Sequence, residues 1–396
     1  MSDPQVPDPL GDAWNDVPLF REIQRVLQSS SGPVNWELAR QVAVANANGE
    51  GGSDPEPNDA DVHSLQDAVR VAELQVAGFT GLDAPSDVAS VEGVRRAVWI
   101  QRNVDGLRSL IEPAATRIGE AVTRAQTEAL PDVSSAEQLM PGLSQLMGQM
   151  SPLLLGAQIG TVLGALGQEA LGQYDIALPR SDGAHSLLFV VDNIATFERD
   201  WSLDLTEFRT WVATHEVTHR FAFSRGWVFG HLRSLLDDYL STLRFDIEGM
   251  QRRLEGIDAS NPEAIQEVLG FEEGLFGTMM DDEQRLKLRR IQAFMAAVEG
   301  YADHVVHAVG GKLLRTSGRI EEAMLRYRES ERVDPVLERM LGVEVEREWY
   351  ARGKAFCDAV AEATDEPTLS RMWESAEALP SLPEIEEPRL WLARTV

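Results

Sequence analysis

This chain is short of the residues that cross-link, that bind polyanions or that span a bilayer. Cys357 is the only cysteine among 396 residues. An internal disulfide is therefore impossible and no cysteine cluster can hold a metal, which fits a reducing compartment. Lysine is nearly as scarce: Lys287, Lys312 and Lys354 are the whole set, and the basic side chains are otherwise arginine. Acidic residues outnumber basic ones by 64 to 36, for a formal net charge of −28. A nucleic-acid partner and an anionic membrane surface both require a basic face, so both are excluded. Long apolar runs are missing too. The nearest approach, 138–174, is interrupted by Gln158, Thr161, Gln168 and Glu169 and lacks flanking basic clusters, so we expect no membrane span. The first residues, MSDPQVPDPLGDAW, carry no apolar core and do not read as a signal peptide. The expected location is cytoplasmic.

What is present is mostly helical, with ordinary apolar content and enough length for more than one domain. Residues 1–60 read as a flexible, acidic N-terminal arm and linker, with helical spacing at 20–27 and 36–44 and a linker-like NANGEGGSDPEPNDA at 46–60. Residues 61–174 read as a helical domain, broken at Gly81 to Pro85 and at Glu112-Pro113. Its valines, Val88, Val91, Val94 and Val98, continue the helical stripe. Within it, Gly156, Gly160 and Gly164 recur every four residues, a small-residue stripe for close packing against another backbone or a second copy of the chain. Trp14 and Trp99 are expected as core anchors. Residues 175–330 form the candidate catalytic core and 331–396 a C-terminal helical segment whose tail, with Pro380, Pro383 and Pro388, should be largely extended. Residues 185–191, HSLLFVV, are the best strand, either a plain core strand or an edge along which a substrate peptide is held. The fold class is mainly α with a small sheet.

The informative stretch is WVATHEVTHRF, 211–221. His215, Glu216 and His219 form the pattern H-E-x-x-H. Four residues make about one helical turn, so both imidazoles share a face and can reach one metal ion. Glu216 stands beside them to handle a proton. In a chain this acidic the pattern arises by accident roughly once in a hundred sequences, so helical context has to support it. It does: Leu205, Phe208, Trp211 and Val212 fall at helical spacing, and Asp204 or Thr206 can cap the start. Nitrogen and oxygen donors with one open position suit Zn2+.

A catalytic zinc needs a third protein ligand. His231 lacks the metzincin spacing, since Ala222 and Arg225 stand where glycine and histidine belong. Asp237 or Asp238 would serve an aspartate-ligand site, but the accompanying turn is missing. A second polar stripe lies in AFMAAVEGYADHVVHAV, 293–309, where Glu299, Asp303 and His307 repeat every four residues among Phe294, Ala297, Val298, Ala302, Val305 and Val306. Carboxylates in so apolar a helix require a cation or hydrogen-bond donors.

Taken together, HEVTHRF, the later EGYADHVV and the preceding LLLGAQIGTVLGALGQEALGQYDIALP resemble a family of bacterial zincin-like proteins, common in actinobacteria and assigned as zinc-dependent metallopeptidases or hydrolases. The resemblance covers roughly residues 60 to 380, and its later E-x-x-x-D is similar to that of gluzincins. It implies a zincin-like core in which His215, His219 and Glu299 hold zinc. It also implies that Asp303 fixes His215 by accepting its second N–H, and that Glu216 is the general base of peptide-bond hydrolysis. Tyr301, Tyr239, His231 and His304 are candidates for steadying an oxyanion. The implied substrate is a peptide or a small amide. A catalytically inactive scaffold that binds a protein partner is the rival reading, and homo-oligomerisation through the glycine stripe is open.

Overall fold

Helix boundaries follow the capping residues. The computed structural model describes residues 32–48, 52–128, 140–174, 186–242, 282–329 and 348–395. Helix α1 (Trp36–Ala47) starts at Asn35, whose side chain accepts the Leu38 N–H. Helix α2 (Asp59–Thr80) starts at Asn58 in the same way and stops at Gly81, which takes the left-handed conformation (φ 67°) that glycine adopts without strain. Strand β1 (Ser90–Val94) follows, then α3 (Arg96–Glu128) and α4 (Met140–Glu169). Strand β2 (Ser186–Val190) runs into α5 (Val191–Asp200), α6 (Leu205–Phe223) and α7 (Val228–Leu240). The long α8 (Asp282–Leu313) and α9 (Ser317–Glu329) come next, then α10 (Glu348–Ala363), α11 (Glu366–Ser370), α12 (Leu382–Glu386) and α13 (Pro388–Thr395).

Three local expectations are overturned. Val88, Val91 and Val94 do not continue a helix, although Val98 lies in α3: 90–94 pairs in parallel with β2, in register from Ser90 with Ser186 to Val94 with Val190. β-Branched residues accept a strand once a partner strand is available, and that partner lies about a hundred residues on. Helix α3 passes through Pro113 without ending, at the cost of one backbone hydrogen bond. The tail is not extended, because Pro383 and Pro388 sit in the first turns of α12 and α13, where a missing N–H costs nothing. The helix expected at 20–27 and Trp14 lie outside the described residues.

The glycine stripe of α4 is covered from within the chain. A Cβ on Gly156 would strike the Asn35 carbonyl, one on Gly160 would lie 2.5 Å from the Ala39 carbonyl oxygen, and one on Gly164 2.8 Å from that of Ala43. Backbone therefore meets backbone between α1 and α4. Among the described residues no helix is long and apolar enough to cross a membrane. One cluster of buried side chains runs from Val34 to Trp391, and α6 lies within it.

Candidate metal centre

Helix α6 begins where Asp204 accepts the Glu207 N–H at 3.0 Å. It is buried on nearly every side, from Glu207 to Ala222, with His215 6%, Glu216 0% and His219 1% exposed. Arg220 ties it outward to α2 and the loop beyond, donating to Glu73 at 2.8 Å and to Asp87 at 3.1 Å. Helix α8 packs across α6 and brings up Glu299, whose side chain is 17% exposed. Behind Glu299, Gly300 lies against the backbone of Gly353 and Lys354 in α10, so that part of α8 has little freedom to shift.

The three side chains meet. Nε2 of His219 is 3.6 Å from Oε1 of Glu299, and Nε2 of His215 is 3.8 Å from Oε2. One ligand atom from each residue lies within 4.8 Å of the others, and no second such group occurs among the described residues. Ligands about 2.1 Å from a tetrahedral zinc stand about 3.4 Å apart, close to what is found. Nε2 of His215 is buried and makes no hydrogen bond among the described residues. A buried imidazole nitrogen in that state is costly unless a cation completes it. The residues present therefore fit a zinc ion on spacing, donor type and burial.

Electrostatics point the same way. Burial opposes a charge on His215, yet the Glu216 and Glu299 carboxylates outweigh it and hold the imidazole pKa up at about 10. Burial pushes the Glu299 carboxyl up, but His219 and His215 hold it below its ordinary value, with Asp303 opposing them. The site accordingly attracts positive charge, as a proton or as a metal.

Glu216 is held from a direction that sequence reasoning missed. Its Oε2 accepts the Tyr174 N–H at 2.9 Å. Tyr174 stacks on His219 with ring centroids 5.6 Å apart, and Trp211 stacks on His215 at 5.9 Å. The available signal was Gly172, a glycine between helix and strand, which often marks close backbone approach. A Cβ there would lie 2.5 Å from Oε1 of Glu216.

The remaining candidates separate. Asp303 stands one turn beyond Glu299, partly buried, while His307 is exposed and lies 2.8 Å from Glu321. His304 faces away from α6, with Nδ1 2.6 Å from Asp358 and Nε2 2.9 Å from Glu366. Tyr301 is buried with its hydroxyl 3.2 Å from Ser370 Oγ, and Tyr239 is buried on α7. His231 packs against Trp227 and Phe294. Strand β2 is a core strand: β1 pairs along one edge, and on the other Gly172 bridges Phe189 and the Val190 N–H donates to the Leu171 carbonyl at 2.9 Å.

A family profile described as zincin-like metallopeptidase matches residues 34–392. A crystal structure from Chloroflexus aurantiacus, described as a putative hydrolase with a novel fold, superposes with a TM-score of 0.66 at 28% identity, over 91% of this chain and 98% of that one. None of the curated proteins matches.

Proposed function

The chain belongs to the zincin-like metallopeptidase family, and from that premise we propose a zinc-dependent hydrolase acting on a peptide or other amide bond. The observation that carries this reading is the convergence of Nε2 of His215, Nε2 of His219 and a Glu299 oxygen within 4.8 Å, inside the core. Those three residues would hold the ion. When bound, zinc supplies Lewis-acid activation of water and polarisation of the scissile carbonyl.

The chain's own residues do the rest. Glu216 takes a proton from the attacking water and passes it to the leaving amine. Its burial keeps bulk water from competing for that proton, and the Tyr174 N–H holds one carboxylate oxygen while the other carries the transfer. Asp303 is assigned to orient a metal-holding imidazole; for His215, the nitrogen not aimed at Glu299 lies 3.6 Å from Oε1 of Glu216. The stacked rings of Trp211 and Tyr174 restrain the two histidines.

The alternative of a small amide substrate has one observation behind it. Both edges of β2 are taken by this chain's own backbone, so a peptide cannot add to it as a further strand at Phe189 and Val190. The test is elemental analysis of purified protein together with hydrolysis of short acyl amides and of peptides of increasing length. We expect one zinc per chain, lost in His219→Ala together with hydrolysis and retained in Glu216→Gln, where hydrolysis falls on the order of 10²–10⁴-fold. Absence of stoichiometric zinc would sink the reading. Full zinc with no turnover on either substrate series would leave the inactive scaffold in its place.

A further inference from the structure

We infer that the strap from Leu171 to Tyr174 is a positioning device for Glu216, with Gly172 and Tyr174 as positioning residues. The inference rests on the role proposed above for Glu216.

The strap is fixed before it reaches the site. At its start, Asn193 donates to the carbonyls of Gly167 (3.0 Å) and Ala170 (2.7 Å), and is itself held by Arg96 at 2.6 Å. The Leu171 carbonyl accepts the Val190 N–H of β2 at 2.9 Å. The Gly172 carbonyl accepts the indole N–H of Trp99 at 2.8 Å, and Trp99 is wholly buried. The strap is thus anchored to α3, β2 and α5, none of which carries a metal-holding residue.

Against this fixed backbone Glu216 is gripped twice. The Tyr174 N–H binds Oε2 at 2.9 Å, and Gly172 lies so near that an added Cβ would stand 2.5 Å from Oε1 and 2.7 Å from Cγ. The Tyr174 ring lies on His219 and on Phe223, the latter at 5.4 Å and 4° from parallel, which keeps the strap in register with α6. The last torsion of a glutamate is broad when unrestrained, whereas a general base has to stay within about 0.5 Å of its working position. A donor on one oxygen and a wall against the other remove that freedom. The same contacts mean that the strap face turned toward Glu216 serves the chain's own side chains rather than substrate.

The alternative is that Gly172 merely lets the chain pass. A double-mutant cycle separates the two. Gly172→Ala, Glu216→Ala and the double variant are compared by thermal midpoint and zinc content. We expect Gly172→Ala to lower the midpoint by roughly 2–6 °C in the native background, as overpacking does. In Glu216→Ala, where the carboxylate no longer fills the space, the loss should be under about 1 °C. An equal loss in both backgrounds, or failure to fold in both, overturns the proposal. Folding of the double variant where Gly172→Ala alone does not fold supports it. Trp99→Phe is the milder companion: it deletes one strap hydrogen bond, and should lower kcat about tenfold with KM and zinc content within about twofold. Unchanged kcat in Trp99→Phe counts against the strap. If the native protein holds no zinc, the functional reading fails, while the thermal cycle still decides whether the strap grips Glu216.

Discussion

Helix α8 meets two imidazole–carboxylate clusters on different faces, and they behave differently. Glu299 faces α6 and meets His215 and His219; His304, five residues on, is the imidazole of the other cluster and meets Asp358 of α10 and Glu366 of α11. Both clusters combine buried histidine with acidic oxygen. At His304 each ring nitrogen already has its own carboxylate, at 2.6 and 2.9 Å, so nothing is left to hold an ion. At His215 the buried Nε2 makes no hydrogen bond among the described residues, and ligand atoms of His215, His219 and Glu299 lie within 4.8 Å of one another. Composition therefore does not distinguish a structural pin from a metal centre. The gathering of three potential ligand atoms within 4.8 Å of one another is what sets the His215 cluster apart.

The largest effect that would sharpen this contrast is loss of a ligand. Structural zinc sites bind with about 10–16 kcal/mol, so removing one of three protein ligands should cost about 3–5 kcal/mol, or roughly a hundredfold to several thousandfold in affinity. Glu299→Ala and His219→Ala should show that loss in a competition titration against a chelator, and His304→Ala should not. Next, Glu216→Gln should keep zinc and lose on the order of 10²–10⁴ in kcat, the usual worth of a general base.

His304→Ala should instead destabilise the fold, by about 2–3 kcal/mol in denaturant unfolding. A fully buried pair costs about 3–5 kcal/mol to break, and Asp358 is half exposed. The pH dependence of the two clusters should differ in kind. Burial opposes the charge on His304, but Glu366 and Asp358 raise its pKa, so its contribution to stability is complete below the unfolded value of about 6.5 and fades as pH rises through the folded one. Asp358, held low despite burial by His304 and Lys354, contributes above its unfolded value of about 3.9 and fades as pH falls through its folded one. The stability gap between native protein and His304→Ala should thus be widest between about pH 4 and 6.5. At the other cluster pH should move zinc affinity: with His215 held at about 10, zinc must displace its proton. Apparent affinity should then rise about tenfold per pH unit up to that value. The smallest effect expected is that of Asp303→Asn, roughly tenfold in zinc affinity with little change in the thermal midpoint.

Much of the centre was legible because it is local. His215, Glu216 and His219 lie within one turn of a helix whose period and Asp204 cap are visible in the sequence. The pairing of that helix with Glu299, 80 residues on, rested on the resemblance rather than on spacing. What stayed hidden depends on distant backbone. Val91 and Val94 fit a helical stripe as well as a strand until β2 is there to pair with them. His304 finds its carboxylates 54 and 62 residues away, so nothing near it marks it as spent. The hold on Glu216 comes through a main-chain N–H, which every residue but proline possesses, and so leaves no signature at Tyr174.

The glycine stripe has a consequence for the order in which the molecule is made. Asn35 meets Gly156, Ala39 meets Gly160 and Ala43 meets Gly164, each pair 121 residues apart. Helix α1 has 12 residues, a length at which an isolated helix is barely stable in water. At synthesis rates of about 5–20 residues per second, α1 leaves the ribosome roughly ten seconds before the groove that receives it. Until then the backbone at Asn35, Ala39 and Ala43 lacks the glycine groove of α4 that it meets in the finished protein. A slow or interrupted chain therefore lengthens the interval during which α1 waits for the α4 backbone it packs against.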